Sequence, residues 1–72
     1  MTTLSGRITL VQEQRFRVIS EAGQSYLLTL AGDANLHMEE LRILLLEGAP
    51  VIVDYTGQPG LASASAHRVR RV

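Results

Sequence analysis

The chain has 72 residues, and its seven basic residues balance seven acidic ones, so the formal net charge is zero at pH 7. A hydrophobic fraction of 46% with 19% charged residues places it among folded domains rather than disordered tails, and the length allows one small domain spanning residues 1–72. There is no cysteine, which excludes disulfide scaffolds, thiolate metal sites and cysteine nucleophiles.

Met1–Arg7 contains no basic stretch followed by an apolar one, so no signal peptide is expected. The longest strongly apolar run, Ile43–Leu46, falls far short of the roughly 18 residues a membrane helix needs. The expectation is a soluble, cytoplasmic protein with no membrane partner. A domain this short buries only about 60% of its unfolded surface. Without a disulfide it needs an economical barrel core or a partner subunit. Charge is uneven along the chain. Arg7, Arg15 and Arg17 against Glu13 make the first twenty residues basic. Residues 21–54 are acidic, with Glu21, Asp33, Glu39, Glu40, Glu47 and Asp54 against Arg42. Arg68, Arg70 and Arg71 make the end basic again. Were the first and last strands neighbours, the folded domain would be polarised.

In chain order, Gly6 to about Gln12 reads as a strand with Ile8 and Leu10 on one face and Arg7, Thr9 and Val11 on the other. Gln12-Glu13-Gln14 is either a short connection or the middle of one long, bent strand. Arg15 to Ser20 alternates again, Phe16 and Val18 inward, Arg15, Arg17 and Ile19 outward. Glu21-Ala22-Gly23-Gln24 predicts a hairpin turn with a positive φ at Gly23. Ser25–Leu30 is the third strand, with Tyr26, Leu28 and Leu30 on its core face. The period then changes: Leu41, Leu44 and Leu45 take the spacing of one helix face. Glu39 and Glu40 fit the positive end of a helix dipole, and Gly48 followed by Pro50 marks a stop. A helix is predicted near 36–47. Val51–Tyr55 is a β-branched strand with Val51, Val53 and Tyr55 on one face. Gly57-Gln58-Pro59-Gly60 is a turn, and Ala62–Val72 is the last strand, small residues first and arginines after.

This order, β-β-β-α-β-β, predicts a mainly β fold: a small five-stranded OB-like Greek-key barrel with one capping helix. An SH3-like barrel is the main alternative and an open α+β sheet the third. Val51-x-Val53-x-Tyr55-x-Gly57-x-Pro59 resembles the fourth-strand segment of the periplasmic haem chaperones of cytochrome c maturation, which are OB folds. The likeness covers residues 51–59. It stops where those proteins attach haem through a histidine with a tyrosine four residues on, because His67 here is followed at that spacing by Arg71. The resemblance therefore implies the fold and no function. The whole chain also looks like many short bacterial proteins.

Catalysis needs convergent titratable groups, and the pattern forces none together. His37 with Glu40 makes a lone His-x-x-Glu, short of the three or four ligands of a zinc site. His67 reads as a barrel-rim residue. Glu39 and Glu40 diverge by about 100° on a helix. There is no phosphate loop or Gly-x-Ser-x-Gly elbow, and Ser63 and Ser65 alternate with alanines as close-packing residues do. No enzyme activity, no cofactor and no metal is expected. The one chemical constellation is basic. Arg15 and Arg17 share a face of the second strand, where OB folds bind oligonucleotides. Arg7 and Arg68 are placed as further charge. Against nucleic acid stands the aromatic inventory: Phe16, Tyr26 and Tyr55 all fall on core faces, whereas single-strand binders stack bases on exposed rings. The leading expectation is a non-enzymatic protein-interaction or scaffold barrel that binds an unidentified protein or itself, through outward Val11, Ile19, Leu27 and Ile52. Weak single-stranded nucleic-acid binding through Arg15 and Arg17 is the alternative.

Overall fold

The computed structural model describes residues 1–58 and 64–72. Its elements are β1 (Thr2–Gln12), β2 (Arg15–Ser20), β3 (Ser25–Leu30), α1 (Met38–Glu47), β4 (Pro50–Thr56) and β5 (Ser65–Arg71). The strands close into a barrel in the order β1-β2-β3-β5-β4, with β4 returning to β1. Every pairing is antiparallel except β3 with β5. This is the predicted element order, and the barrel is compatible with an OB-like fold. The predicted Pro59-Gly60 turn and the Ala62-Ser63 start of the last strand lie outside the described residues.

β1 belongs to both halves of the barrel. Thr2–Arg7 pairs with β4, and Gly6–Gln12 pairs with β2. At the crossover Gly6 is buried. A Cβ there would overlap the carbonyl oxygen of Ile19 and stand 2.8 Å from its carbon and 2.9 Å from Ser20 Cα. Glycine is required because the β2 backbone occupies the place of a side chain.

Two bulges reset the alternation. The β1–β2 register shifts between Ile8 and Leu10, making Thr9 the extra residue. Val11 is thereby turned to pack on the core, and Leu10 stands outside opposite Arg17. This corrects the expectation from strict alternation, which put Leu10 inside and Val11 outside. A bulge adds one residue to one strand and exchanges the faces of the residues beyond it. The second shift, between Asp54 and Tyr55, makes His67 the extra residue of β5, so Ala66 and Val69 both point inward. Gln12-Glu13-Gln14 resolves as a tight connection: Gln12 pairs with Arg15, and Glu13 takes a left-handed φ of 53°. Gly23 has the expected positive φ, 84°.

The core holds Phe16, Val18, Leu28, Val51, Val53 and Val69 from the strands and Leu41 and Leu44 from α1. α1 begins with Glu40 Oε1 accepting the His37 N–H at 3.2 Å, which satisfies one of the free donors of a first turn. It ends at Gly48, left-handed at φ 62°, whose N–H meets the carbonyls of Leu44 and Leu45. The connection from β3 to α1 is stitched to β5 by Asn35. Its Nδ2 donates to the Val69 carbonyl at 3.0 Å and its Oδ1 accepts the Val69 N–H at 2.9 Å. One side chain thus imitates a strand neighbour where β3 has already ended. β1 and β5 are not neighbours; β4 lies between them, so the two basic chain ends do not merge into one strand pair. No helix among the described residues is long and apolar enough to cross a membrane.

Candidate functional site

The outer face of β1, β2 and β3 is built of cross-strand rows. Leu10, Arg17 and Leu27 form one row, Gln12, Arg15 and Thr29 the next, and Arg7, Ile19 and Ser25 a third on the other side. Directly opposed residues on one face lie close enough for their side chains to interact. Arg7, Arg15 and Arg17 are exposed, whereas Leu10, Ile19 and Leu27 are half-buried. Two ion pairs occur among the described residues, Asp33–His67 and Glu47–Arg71. Neither involves the three arginines of this face. Carboxylates stand only at its ends, Glu13 in the β1–β2 turn and Glu21 in the β2–β3 turn.

Two shallow hollows open along this face. One of about 290 Å³ is lined by Leu10, Gln12, Glu13, Arg15, Phe16, Arg17 and Leu27. The other, about 490 Å³, lies toward Gly6, Arg7, Thr9, Ile19 and Glu21. The structure therefore brings Arg15, Arg17 and Arg7 to one side of the barrel. It does not bring Arg68 there. Arg68 is on β5, opposite Asp54 of β4, and β3 stands between β5 and β2. Of the residues expected outside, Ile19, Leu27 and Ile52 are half-buried on the outer wall; Val11 is not, because the Thr9 bulge turns it to the core.

The aromatic rings lie where the alternation puts them. Phe16 is fully buried and Tyr55 nearly so. Tyr26 packs on the core and its hydroxyl donates to Gln24 Oε1 at 2.7 Å. No ring among the described residues stands free on the arginine face.

A second cluster escapes any reading of the sequence pattern. His67 Nδ1 lies 2.9 Å from Asp33 Oδ1, and His67 Nε2 lies 2.9 Å from Thr56 Oγ1. The His67 bulge aims the ring at two segments 34 and 11 residues away in sequence, and nothing local in the sequence announces that. The Asp33 carboxyl is held below its ordinary value, mainly by the hydrogen bond from His67. The order hydroxyl–imidazole–carboxylate is that of hydrolytic triads, but there the carboxylate is buried; the Asp33 side chain is 75% exposed. The hydrogen bonds hold in either charge state of the ring. Neutral, Nδ1–H donates to Asp33 and Nε2 accepts from Thr56; protonated, both nitrogens donate. The cluster is a brace joining the β3–α1 connection, β4 and β5. His37 caps α1, apart from His67, and no group of three His, Asp or Glu side chains suited to a metal ion occurs among the described residues.

No protein-family model, curated protein or solved structure matches this chain. The local likeness to the haem chaperones thus gains no support from wider comparison.

Proposed function

We propose that the protein is a non-enzymatic binding module that presents the outer β1–β2–β3 face to a protein partner. The observation that carries this reading is the Leu10–Arg17–Leu27 row: two half-buried leucines flanking an arginine that has no ion partner among the described residues. Arginine set among apolar neighbours is a favoured anchor in protein interfaces, where surrounding contacts exclude water from it. A partner presenting a carboxylate between apolar groups would fit the row, pairing with the guanidinium while covering the leucines.

A photo-crosslinking amino acid at Leu27, irradiated in cells of the source organism, tests the reading. A discrete protein adduct that disappears on adding Arg17→Glu is expected. The absence of any protein adduct at Leu27, with a folded variant, overturns it.

The second reading, single-stranded nucleic acid, is favoured by three arginines that have no ion partner among the described residues and opposed by the inward rings. It requires oligonucleotide-dependent shifts in the amide spectrum at about 20 mM salt, where phosphate attraction is least screened. It also requires Arg15→Gln with Arg17→Gln to lower the slope of log K against log salt by roughly 1.4, at about 0.7 per single-strand phosphate contact.

A further inference from the structure

The outer side of α1 complements the arginine face in both charge and apolarity. Leu41 and Leu44 are buried, whereas Ile43 is 50% exposed and Leu46 is 85% exposed. At about 100° per residue, Ile43 and Leu46 fall within one sector of about 60° on the helix, pointing away from the core. Glu39 falls inside that sector, one turn before Ile43, and Glu40 and Glu47 flank it on the Ile43 side; all three are exposed. Glu39 has no ion partner among the described residues, Glu40 accepts only the His37 N–H, and Glu47 pairs with Arg71. Arg42, about 40° beyond Leu46, flanks the sector on its other side. The helix thus presents Ile43 and Leu46 in line with Glu39, with Glu40 and Glu47 along one side and Arg42 along the other. The β1–β2–β3 face presents Leu10 and Leu27 amid Arg7, Arg15 and Arg17.

We infer that the occupant of the arginine face is the outer side of α1 from a second copy of this chain. The inference rests on the docking-face reading and adds the partner to it. Ile43 and Leu46 would cover Leu10 and Leu27, and Glu39 and Glu40 would meet Arg15 and Arg17. The fit in size is adequate: ten helical residues span about 15 Å, within a molecule measuring 27 × 27 × 20 Å. The exposed parts of Ile43 and Leu46 gain nothing within the monomer, and covering them is the favourable term of association. The opposed charges fix the register and suppress face-to-face pairing, which would set arginine against arginine. Two different patches of one chain meet, so each copy carries one socket and one plug.

That asymmetry supplies the test. Arg17→Glu spoils the socket and leaves the plug; Leu46→Glu spoils the plug and leaves the socket. Both positions are exposed, so both variants should keep the wild-type circular dichroism and melting temperature, checked first. Sedimentation velocity is then run from about 10 μM to 1 mM, the affinity range of small interfaces. The wild type should sediment faster as concentration rises, and less so at high salt. Each variant alone should remain a monomer. An equimolar mixture of the two should form a 1:1 dimer through the surviving socket and plug. A wild type that stays monomeric throughout, variants that still self-associate, or a mixture that stays monomeric while the wild type associates each overturns the inference. If the wild type is monomeric but Leu27 crosslinks a different protein, the docking face stands and self-recognition falls. If neither occurs, both fall.

Discussion

Replacing Gly6 by alanine is the sharpest test of the barrel, because one methyl group is set against a backbone. The added Cβ would overlap the Ile19 carbonyl oxygen and lie 2.8 and 2.9 Å from two more backbone atoms of β2. Comfortable carbon contacts lie near 3.5–4.0 Å, and none of these atoms is the tip of a flexible side chain. The relief available is to move β2 away from β1, which strains the ladder around Gly6↔Ser20, Arg7↔Ile19 and Ile8↔Val18. Overpacking of this kind costs about 1–3 kcal/mol, and each ladder hydrogen bond lost adds about 0.5–1.5 kcal/mol. The total, on the order of 2–5 kcal/mol, approaches the whole stability of a domain of this size. Since about 1 kcal/mol moves the midpoint of such a domain by 4–8 °C, Gly6→Ala should melt at least about 10 °C below wild type or fail to fold. Gly32→Ala is the control. It has open space around its Cβ and no left-handed φ, so it should be neutral or stabilising by about 0.4–1 kcal/mol. Thermal unfolding followed by circular dichroism reads both. A Gly6→Ala midpoint within a degree or two of wild type would refute the close approach of β1 and β2.

Leu44→Ala should cost about 2–5 kcal/mol in urea unfolding, as for other buried leucines, whereas Leu46→Ala should stay within about 0.5 kcal/mol; equal effects would mean that α1 is turned the other way. Asn35→Ala removes both partners of the Val69 backbone and should cost about 1–3 kcal/mol, with faster amide exchange at Val69 as the local readout. Asp33 sits below its ordinary value of 3.8 because His67 hydrogen-bonds to it, so the folded state binds fewer protons there than the unfolded state. Its contribution is present above the unfolded value and disappears as pH falls through the lowered folded one. Asp33→Asn should therefore flatten the acid limb of the stability profile below about pH 4, and superimposable wild-type and variant profiles would remove the brace.

Much of the fold is legible in the sequence because the alternation is strict where the ladders are regular. Phe16, Val18, Val51, Val53 and Tyr55 face inward as their spacing requires, and Leu41 and Leu44 anchor a helix bounded by Gly48. Apart from the Thr2–Ser5 start of β1, which the expected Gly6 start misses, and Arg68, which the strand order sets away from Arg15 and Arg17, the failures fall at the two bulges. An extra residue such as Thr9 or His67 leaves no mark in composition, since its cause is the curvature needed to close the sheet, a property of all five strands together. The same blindness hides the Asp33–His67–Thr56 brace and the Asn35–Val69 stitch, whose partners lie up to 34 residues apart. The arginine pair on β2 is legible from spacing alone. That Leu10, not Val11, stands beside it is not.

That exchange bears on which ligand class the face favours. With Val11 outside, the wall beside Arg17 would be β-branched and flat. The Thr9 bulge instead puts Leu10 opposite Arg17 and leaves Leu27 on its other side. The exposed arginine thereby stands between two long apolar side chains, and a partner covering them would exclude water and strengthen its attraction for a single carboxylate. A nucleic-acid strand asks something different of a surface: charges along a track of phosphates and flat rings for the bases. Here the charges are interleaved with aliphatic groups and every described ring is spent in the core or packed against it. An acidic, apolar protein surface satisfies both halves of such a row at once, and Glu39, Ile43 and Leu46 on the outward side of α1 are groups of that kind.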